Sequence, residues 1–228
     1  MRPKKILIII QRSNGDVFLS SLLLRELKLK FDPESIDLLV NDDTVAIAKT
    51  LPNISDIHVF SYQKKYEDKW AQEKRIVKNI FKKYDLSINL TSSDRGVLYA
   101  ILSSKYSISA IESSNKKSWW KKILLNQYYI FDNKKHILLN NLEPIRILGY
   151  KVNKFEITVN IDQKIINKTV QRLQNLKITQ FIIFHPSAQY NYKIYPENLR
   201  NELLELLSTL NIPIIVTGGN NIIDSQIS

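Results

Sequence analysis

The chain has 228 residues, of which 44% are hydrophobic and 24% charged, as in ordinary globular proteins rather than disordered chains. It contains no cysteine, which excludes disulfides and thiolate metal sites. Its 33 basic and 22 acidic residues give a net charge of +11, which favours anionic partners such as nucleic acid, anionic lipid or phosphorylated glycan.

Neither a metal site nor a secretory signal is predicted. The three histidines, His58, His136 and His185, lie far apart in the sequence and lack the spacing of metal ligands. No apolar run approaches the length of a membrane span, and the first one, Ile6–Ile10, is too short for a signal peptide. We therefore predict a cytoplasmic protein that uses no metal and no other cofactor.

The first predicted element is a strand over Ile6–Ile10, because an unbroken aliphatic run is typical of a strand buried on both faces of a parallel sheet. A polar segment follows, in which we interpret Gly15 as a bend that other residues resist. From Val17 the apolar residues recur with a helical period. Strand, polar loop and helix open a βαβ unit, where ligands collect at the strand end.

Asp16 stands at this junction and has two interpretations. It could cap the helix, which aspartate does well. It could also be a general base at the mouth of a cleft. The segment has neither G-x-G-x-x-G nor G-x-x-x-x-G-K-[ST], so a dinucleotide cradle or a P-loop is not expected.

The rest of the chain alternates between the two element types, which predicts α/β architecture with Rossmann-like parallel sheets. The predicted strands are Ile36–Val40, Ile57–Phe60, Leu86–Leu90, Tyr106–Ile111, Phe155–Val159, Phe181–His185 and Ile212–Val216. The predicted helices are Asp42–Leu51, Tyr66–Tyr84, Val97–Leu102, Ile137–Leu148, Gln163–Leu176 and one that begins at Pro196. A polar turn at Asn160–Lys164 predicts a hinge, and hence domains over residues 1–160 and 161–228.

The stretch Glu112–His136 is predicted to break this alternation. It contains Lys116-Lys117-Ser118-Trp119-Trp120-Lys121-Lys122, and lysines that flank paired tryptophans suit a membrane interface. The alternative is a helix with its tryptophans inward and its lysines in solvent. Basic and aromatic residues also suit single-stranded nucleic acid, but no RNP motif or GXXG loop is present, so we predict no nucleic-acid partner.

Two segments carry a family resemblance. The pattern Ile-Leu-Ile-Ile-Ile…Asn-Gly-Asp-Val…Leu-Leu-Arg-Glu-Leu resembles the start of the bacterial heptosyltransferases, relatives of ADP-heptose:lipopolysaccharide heptosyltransferase. The block Phe184-His185-Pro186-Ser187-Ala188…Lys193-Ile194-Tyr195-Pro196 is similar to that family's His-Pro-Gly-Ala…Lys-Arg-Trp-Pro motif, with departures at Ser187, Ile194 and Tyr195. Thr217-Gly218-Gly219 resembles the family's next strand end.

The resemblance implies a GT-B glycosyltransferase with two Rossmann-like domains. Residues 1–160 would bind the acceptor, and residues 161–228 would be the start of a nucleotide-sugar domain that is incomplete, because relatives continue for over a hundred residues more. A single strand–helix–strand unit cannot bury both faces of a parallel sheet, so we expect a truncated product, an expression fragment or a degenerate copy.

The implied reaction is transfer of heptose from ADP-heptose to the inner core of lipopolysaccharide, at the cytoplasmic face of the inner membrane and without a metal. Asp16 would be the catalytic base, and Lys193 together with the helix start at Pro196 would favour the donor phosphates. The expected donor-binding residues are Gly15, His185, Ser187, Ala188, Gln189, Lys193 and Gly218. The expected acceptor-binding residues are Arg12, Asn14, Arg95, Lys116, Lys117, Lys121 and Lys122. The alternative is a non-catalytic remnant that binds anionic glycans or membrane surfaces.

Overall fold

The computed structural model describes residues 2–62, 64, 68–188 and 191–218, and the chain divides into two compact units, Met1–Asn160 and Ile161–Ser228. In the described part of the first unit the strands are β1 (Lys5–Ile10), β2 (Ser35–Asn41), β3 (Asp56–Phe60), β4 (Tyr84–Asn89), β5 (Ser104–Ile111) and β6 (Gln127–Ile130). They form one parallel sheet in the order β3-β2-β1-β4-β5-β6.

Helices cover this sheet on both faces. They are α1 (Asn14–Phe18), α2 (Ser21–Phe31), α3 (Val45–Ala48), α4 (Lys69–Ile80), α5 (Asp94–Ser103), α6 (Asn115–Leu124) and α7 (Ile137–Ile147), with a short 3-10 turn at Asp42–Thr44. The predicted α/β class with a Rossmann-like parallel sheet is thereby confirmed. Within the described ranges, no helix is both long and apolar enough to cross a bilayer.

The burial of the central strand β1 on both faces explains its aliphatic sequence. Ile6, Ile8 and Ile10 pack into one apolar cluster with residues of α2, while Leu7 and Ile9 pack into a second cluster with residues of α4 and α5. All five side chains are completely buried. A strand covered on both faces needs apolar residues at every position, so an unbroken aliphatic run replaces the usual alternation.

The polar loop after β1 differs from the prediction in one respect. Gly15 lies inside α1 rather than in a bend, and a Cβ atom placed on it would meet nothing within 4 Å. The interpretation of Gly15 as a residue required by backbone conformation is therefore wrong. The predicted single helix is also divided, since α1 ends at Phe18 and α2 begins at Ser21.

Two further predictions of secondary structure are corrected. The stretch 112–136 does not break the alternation, because α6 and β6 continue it, and β6 pairs with Ile108–Ile111 of β5. Phe155–Val159 is not a strand. This segment is a mostly exposed linker. Within it Glu156 pairs with Arg25 of α2 at 3.1 Å, and directly after it the Asn160 amide donates to the Thr50 carbonyl.

The second unit consists of α8 (Gln163–Asn175), β7 (Ile182–Phe184), a 3-10 turn at Asn191–Lys193, α9 (Glu197–Ser208) and β8 (Ile214–Val216). Strands β7 and β8 are parallel neighbours. Among its described residues no hydrophobic side chain is fully buried. This agrees with the expectation that one strand–helix–strand unit cannot enclose a core.

Candidate active site

The candidate site of the first unit begins where β1 and β4 end. These strands are neighbours in the sheet, but the chain continues from β1 to β2 on one side and from β4 to β5 on the other. At such a switch point the two loops diverge and leave a crevice beyond the strand ends. Here the loops are joined, because the Gln11 amide donates to Thr91 Oγ1 at 3.1 Å.

Asp16 lies in the first turn of α1, beside the end of β1. The position that caps this helix belongs to Ser13, so the interpretation of Asp16 as the cap is wrong. Its Oδ2 accepts hydrogen bonds from Arg12 Nε at 2.8 Å and from Ser13 Oγ at 3.2 Å. A carboxylate in the first helical turn is also favoured by the helix dipole. The local fold thus holds Asp16 Oδ2 in place.

Arg12 is fixed from two sides. Besides its ion pair with Asp16, its guanidinium lies 4.8 Å from the centroid of the Phe131 ring, directly after β6. Both side chains of the ion pair are partly exposed to solvent. Because its charge is compensated by Asp16, Arg12 is better suited to orient that carboxylate than to bind an anionic acceptor. Asn14, which begins α1, is exposed.

A cleft of about 560 Å³ opens at the switch point. Gln11, Thr91 and Ser93 provide polar groups from the two strand ends, and the remaining walls are mostly apolar or aromatic. These other lining residues are Tyr62, Trp70, Glu73, Val77, Asp94, Arg95, Leu98, Tyr99 and Leu102. Asp16 is not among the described residues that line the cleft, which reaches the β1 loop only through Gln11.

Arg95 does line this cleft, but its charge is also compensated. Its Nε lies 3.4 Å from Glu73 Oε1, and its guanidinium stacks 3.9 Å from the centroid of Phe60. The Tyr99 hydroxyl donates to the other oxygen of Glu73, and burial, with this hydrogen bond, raises the pKa of Tyr99. The floor of the cleft is therefore a charge-balanced network, which suits a neutral polyol face better than a dense anion.

Gln11 is a residue that sequence reasoning missed. Its side chain is mostly buried, and its Nε2 has no hydrogen-bond partner among the described residues. An unpaired buried amide costs free energy unless a ligand or water satisfies it. Its position directly after a buried strand was the available signal, since ligands of parallel sheets gather there.

The lysines of α6 have different environments. The side chain of Lys121 is completely buried; its Nζ lies 2.7 Å from Asp94 and 2.6 Å from Glu112, and donates to the Ser92 carbonyl. In this structure the Lys121 ammonium is inaccessible to an acceptor and instead fixes the loop after β4. Lys116 and Lys117 are exposed, and Lys122 lies beside the Tyr128 ring.

The second unit places several predicted donor-binding residues at its strand ends. His185 follows β7, and its Nδ1 lies 2.9 Å from the carbonyl and 3.1 Å from the hydroxyl of Thr217, which follows β8. Ser187 is buried, whereas Gly218 is exposed. His185 therefore ties the two strand ends together, whichever tautomer it adopts.

The remaining donor candidates lie around the loop that leads to α9. Ala188 is half-buried, and Lys193 ends the 3-10 turn with its Nζ 5.7 Å from the Tyr192 ring centroid. Pro196 is the N-cap of α9 rather than its first residue. Gln189 lies outside the described residues, as does Gly219. Among the described residues of the chain, no three His, Asp or Glu side chains are grouped as metal ligands would be.

Comparison with known proteins adds independent observations. No family model matches the chain. Its sequence is 23% identical to lipopolysaccharide heptosyltransferase 3 of Escherichia coli strain K12 over 218 residues, which cover 91% of this chain and 61% of the relative. The chain thus spans about three fifths of the length of the curated relatives it matches.

Two solved structures share the fold. A glycosyl transferase family 9 protein from Veillonella parvula superposes with a TM-score of 0.79 at 16% identity, over 95% of this chain and 63% of that one. Heptosyltransferase WaaC of Escherichia coli with ADP-2-deoxy-2-fluoro heptose gives a TM-score of 0.72 at 17% identity, over 94% and 69%. These matches confirm the predicted GT-B fold class, and the sequence match confirms the predicted family resemblance.

Proposed function

Because the chain is heptosyltransferase-like in sequence and has the fold of GT-B glycosyltransferases, we propose that it acts in the transfer of heptose from ADP-heptose to the inner core of lipopolysaccharide. The observation that carries this proposal is the Asp16 carboxylate, held by Arg12 and Ser13 at the end of the central strand.

The proposed chemistry is a direct displacement. Asp16 accepts the proton of an acceptor hydroxyl while that oxygen bonds to the anomeric carbon of the heptose. The bond between this carbon and the diphosphate oxygen breaks at the same time, and ADP leaves with the electron pair. A positioned carboxylate of this kind typically contributes a factor of 10² to 10⁴ to the rate.

The second unit supplies the proposed donor contacts. Lys193 and the N-terminus of α9 offer positive charge to the departing diphosphate. His185 orders the loop through Thr217, and Ser187, Ala188 and Gly218 lie along the same strand ends. Gly15, which lies in α1 of the first unit, is proposed for the donor site from the family resemblance alone. Gln189 is proposed for the donor site from its motif alone.

The first unit supplies the proposed acceptor contacts. The cleft at the switch point offers aromatic walls and the unpaired Gln11 amide, which suit a sugar ring with hydroxyl groups. Asn14, Lys116, Lys117 and Lys122 are proposed for the acceptor's anionic groups from the family resemblance, and Arg12 and Arg95 are each paired with a carboxylate.

The decisive experiment replaces Asp16 by alanine or asparagine. In a transfer assay with ADP-heptose and lipopolysaccharide core, we expect the rate to fall by about 10³-fold, while binding of ADP changes little. A variant with the activity of the original protein would remove Asp16 from this role.

A second candidate function is binding without transfer. It is favoured by the second unit, whose described part has no buried hydrophobic side chain to support a donor site. Thermal unfolding of this chain with and without ADP-heptose distinguishes the two. Stabilisation by the nucleotide sugar supports a donor site, whereas stabilisation by core oligosaccharide alone supports the binding module.

A further inference from the structure

Helix α6 buries polar as well as apolar side chains, since Trp120 packs against the cluster of Val97, Ile111 and Leu125. Its inward residues Ser118 and Lys121 are completely buried. Its outward residues Trp119 and Ile123, which are four positions apart and share one face, are 62% and 72% exposed. A helix that packs on a sheet normally buries its apolar side chains and exposes its charged ones.

The buried side of α6 is held by polar contacts that leave the outward side unused. Lys121 pairs with Asp94 and Glu112, and Ser118 Oγ donates to the Glu112 carbonyl at 2.9 Å. These bonds fix α6 to the ends of β4 and β5. The fold therefore gives no reason for a tryptophan and an isoleucine on the outward side, and exposed apolar patches of this kind mark contact surfaces.

The exposed surface continues onto the edge strand of the sheet. Leu124 at the end of α6 and Tyr128 of β6 are also exposed, and together with Trp119 and Ile123 these four residues are named the α6 face. Lys122 reaches across to the Tyr128 ring, with its Nζ 5.8 Å from the ring centroid. The residues from Ser113 to Phe131 contain four lysines and no carboxylate. Of these lysines Lys121 is buried and paired with Asp94 and Glu112, whereas Lys116 and Lys117 are exposed.

We propose that the α6 face docks on an anionic membrane surface. Tryptophan and tyrosine rings settle at the depth of lipid headgroups, and lysines beside them meet the phosphates. An exposed helix with apolar residues outward and lysines beside them has the composition of an interfacial helix that lies in the membrane plane. The chain's net charge of +11 favours the same partner.

Helix α6 is bonded to the rim of the cleft. Lys121 donates from α6 to the Ser92 carbonyl, and the next residue, Ser93, lines the cleft. Membrane contact through α6 would therefore hold the cleft rim close to the lipid surface. This last step rests on the proposed function, in which the acceptor is lipid-anchored, whereas the membrane contact itself requires no transferase activity.

The test uses the whole chain and extruded vesicles, with no nucleotide sugar present. We expect the chain to sediment with vesicles of equal phosphatidylglycerol and phosphatidylcholine, and to stay in the supernatant with phosphatidylcholine alone. Replacement of Lys116 and Lys117 by glutamine should weaken binding by roughly fivefold for each lysine. The double variant Trp119→Ser/Ile123→Ser should abolish it, and added salt should weaken binding of the original chain.

Matched controls lie on α2, which packs on the opposite face of the sheet. Leu29→Ser and Lys30→Gln change an equally exposed aliphatic residue and an exposed lysine there, and should bind like the original chain. Circular dichroism verifies that each variant is folded. Equal binding to both vesicle types, no binding, or unchanged binding of the α6 variants would overturn the proposal. The proposal would also fail if the original chain did not bind vesicles and the α6 variants changed oligomeric state, because the α6 face would then be a contact between protein chains.

Discussion

Arg12 Nε lies 2.8 Å from Asp16 Oδ2, so an arginine four residues earlier in the sequence orients the carboxylate of the proposed base. The arginine is in turn held against the Phe131 ring. Because these contacts come from β1, α1 and the end of β6, they are present before any substrate binds. Preorganisation of this kind lowers the cost of reaching a reactive geometry.

Replacement of Arg12 by glutamine should therefore impair transfer through misplacement of Asp16. We expect kcat to fall by about 10- to 100-fold while the KM for the donor changes little, since a misplaced catalytic group costs rate rather than binding. Steady-state kinetics measure both. The control is Arg146→Gln on α7, which removes an exposed ion pair with Glu143 and should leave both constants unchanged. A Phe131→Leu variant tests whether the ring contact matters, and an Arg12 variant with normal kcat would contradict this role.

Two glycines near the strand ends should respond differently to alanine. A Cβ on Gly96 would lie 2.7 Å from Asn89 Oδ1, and Asn89 is completely buried, with hydrogen bonds to Thr91 and to Ser109. We expect Gly96→Ala to lower the free energy of unfolding by about 2 kcal/mol, as overpacking does. Gly15→Ala should not, because that site has open space. Urea unfolding compares the two. Equal stabilities would show that Asn89 can move aside.

The sequence predicted the central fold well because the responsible signals are local. The run Ile6–Ile10 is buried on both sides, and the helix predicted over Val97–Leu102 forms as part of α5, where the Ser93 hydroxyl caps it by accepting from the Gly96 amide. The failed strand at Phe155–Val159 has apolar residues and β-branched neighbours as well. It nevertheless pairs with none of the described strands, and local propensity contains no information about tertiary pairing.

The site was less predictable because its contacts are distant in sequence. The burial of Lys121 depends on Asp94 and Glu112, which lie on two other elements. A lysine of that kind is indistinguishable in sequence from the exposed Lys117. The pairing of Arg95 with Glu73 and Phe60 likewise joins three elements, so its place in the cleft could not be predicted from the residues near it in sequence.

The burial of Lys121 makes a strong prediction about stability. Lys121→Met would leave Glu112 and Asp94 without their shared cation, and we expect a loss of about 3 kcal/mol in the free energy of unfolding. Lys117→Met, on the same helix but exposed, should change it by about 0.5 kcal/mol at most. Chemical denaturation measures both. The combination of Lys121→Met with Glu112→Gln should recover part of the loss, and an additive double variant would contradict the pairing.

The carboxyl of Asp85 should make stability depend on pH. Its Oδ2 accepts from the backbone amides of Lys5 at 3.1 Å and Lys4 at 3.0 Å, and these bonds, led by that from Lys5, lower the pKa of Asp85. A lowered pKa means that the contribution is fully present above the unfolded pKa, near pH 4, and is lost as the pH falls through the folded pKa.

For the variant Asp85→Asn we expect a loss of about 1 kcal/mol at pH 7, kept modest by solvent around this partly exposed group. The difference from the original chain should begin to shrink below about pH 4, where the carboxyl of the unfolded chain becomes protonated, and should vanish once the pH falls below the lower folded pKa. Unfolding curves between pH 3 and 7 provide the test. Asp43→Asn, at an exposed site on the 3-10 turn, is the control. A difference that stays constant with pH would show that the charge on Asp85 is unimportant.

The two units should differ in hydrogen exchange. Amides of β1 and β4 are bonded within a sheet whose side chains are buried on both faces, so they should exchange only in global unfolding. Those of β7 and β8 belong to a two-stranded sheet with Ile183 and Val216 exposed, and we expect them to exchange at least 100-fold faster. Mass spectrometry of peptides that cover Ile6–Ile10 and Ile182–Phe184 compares them directly in one sample. Addition of ADP should slow exchange in the second peptide if the donor site forms, and equal protection of both peptides without ligand would mean that β7 is covered by a partner surface.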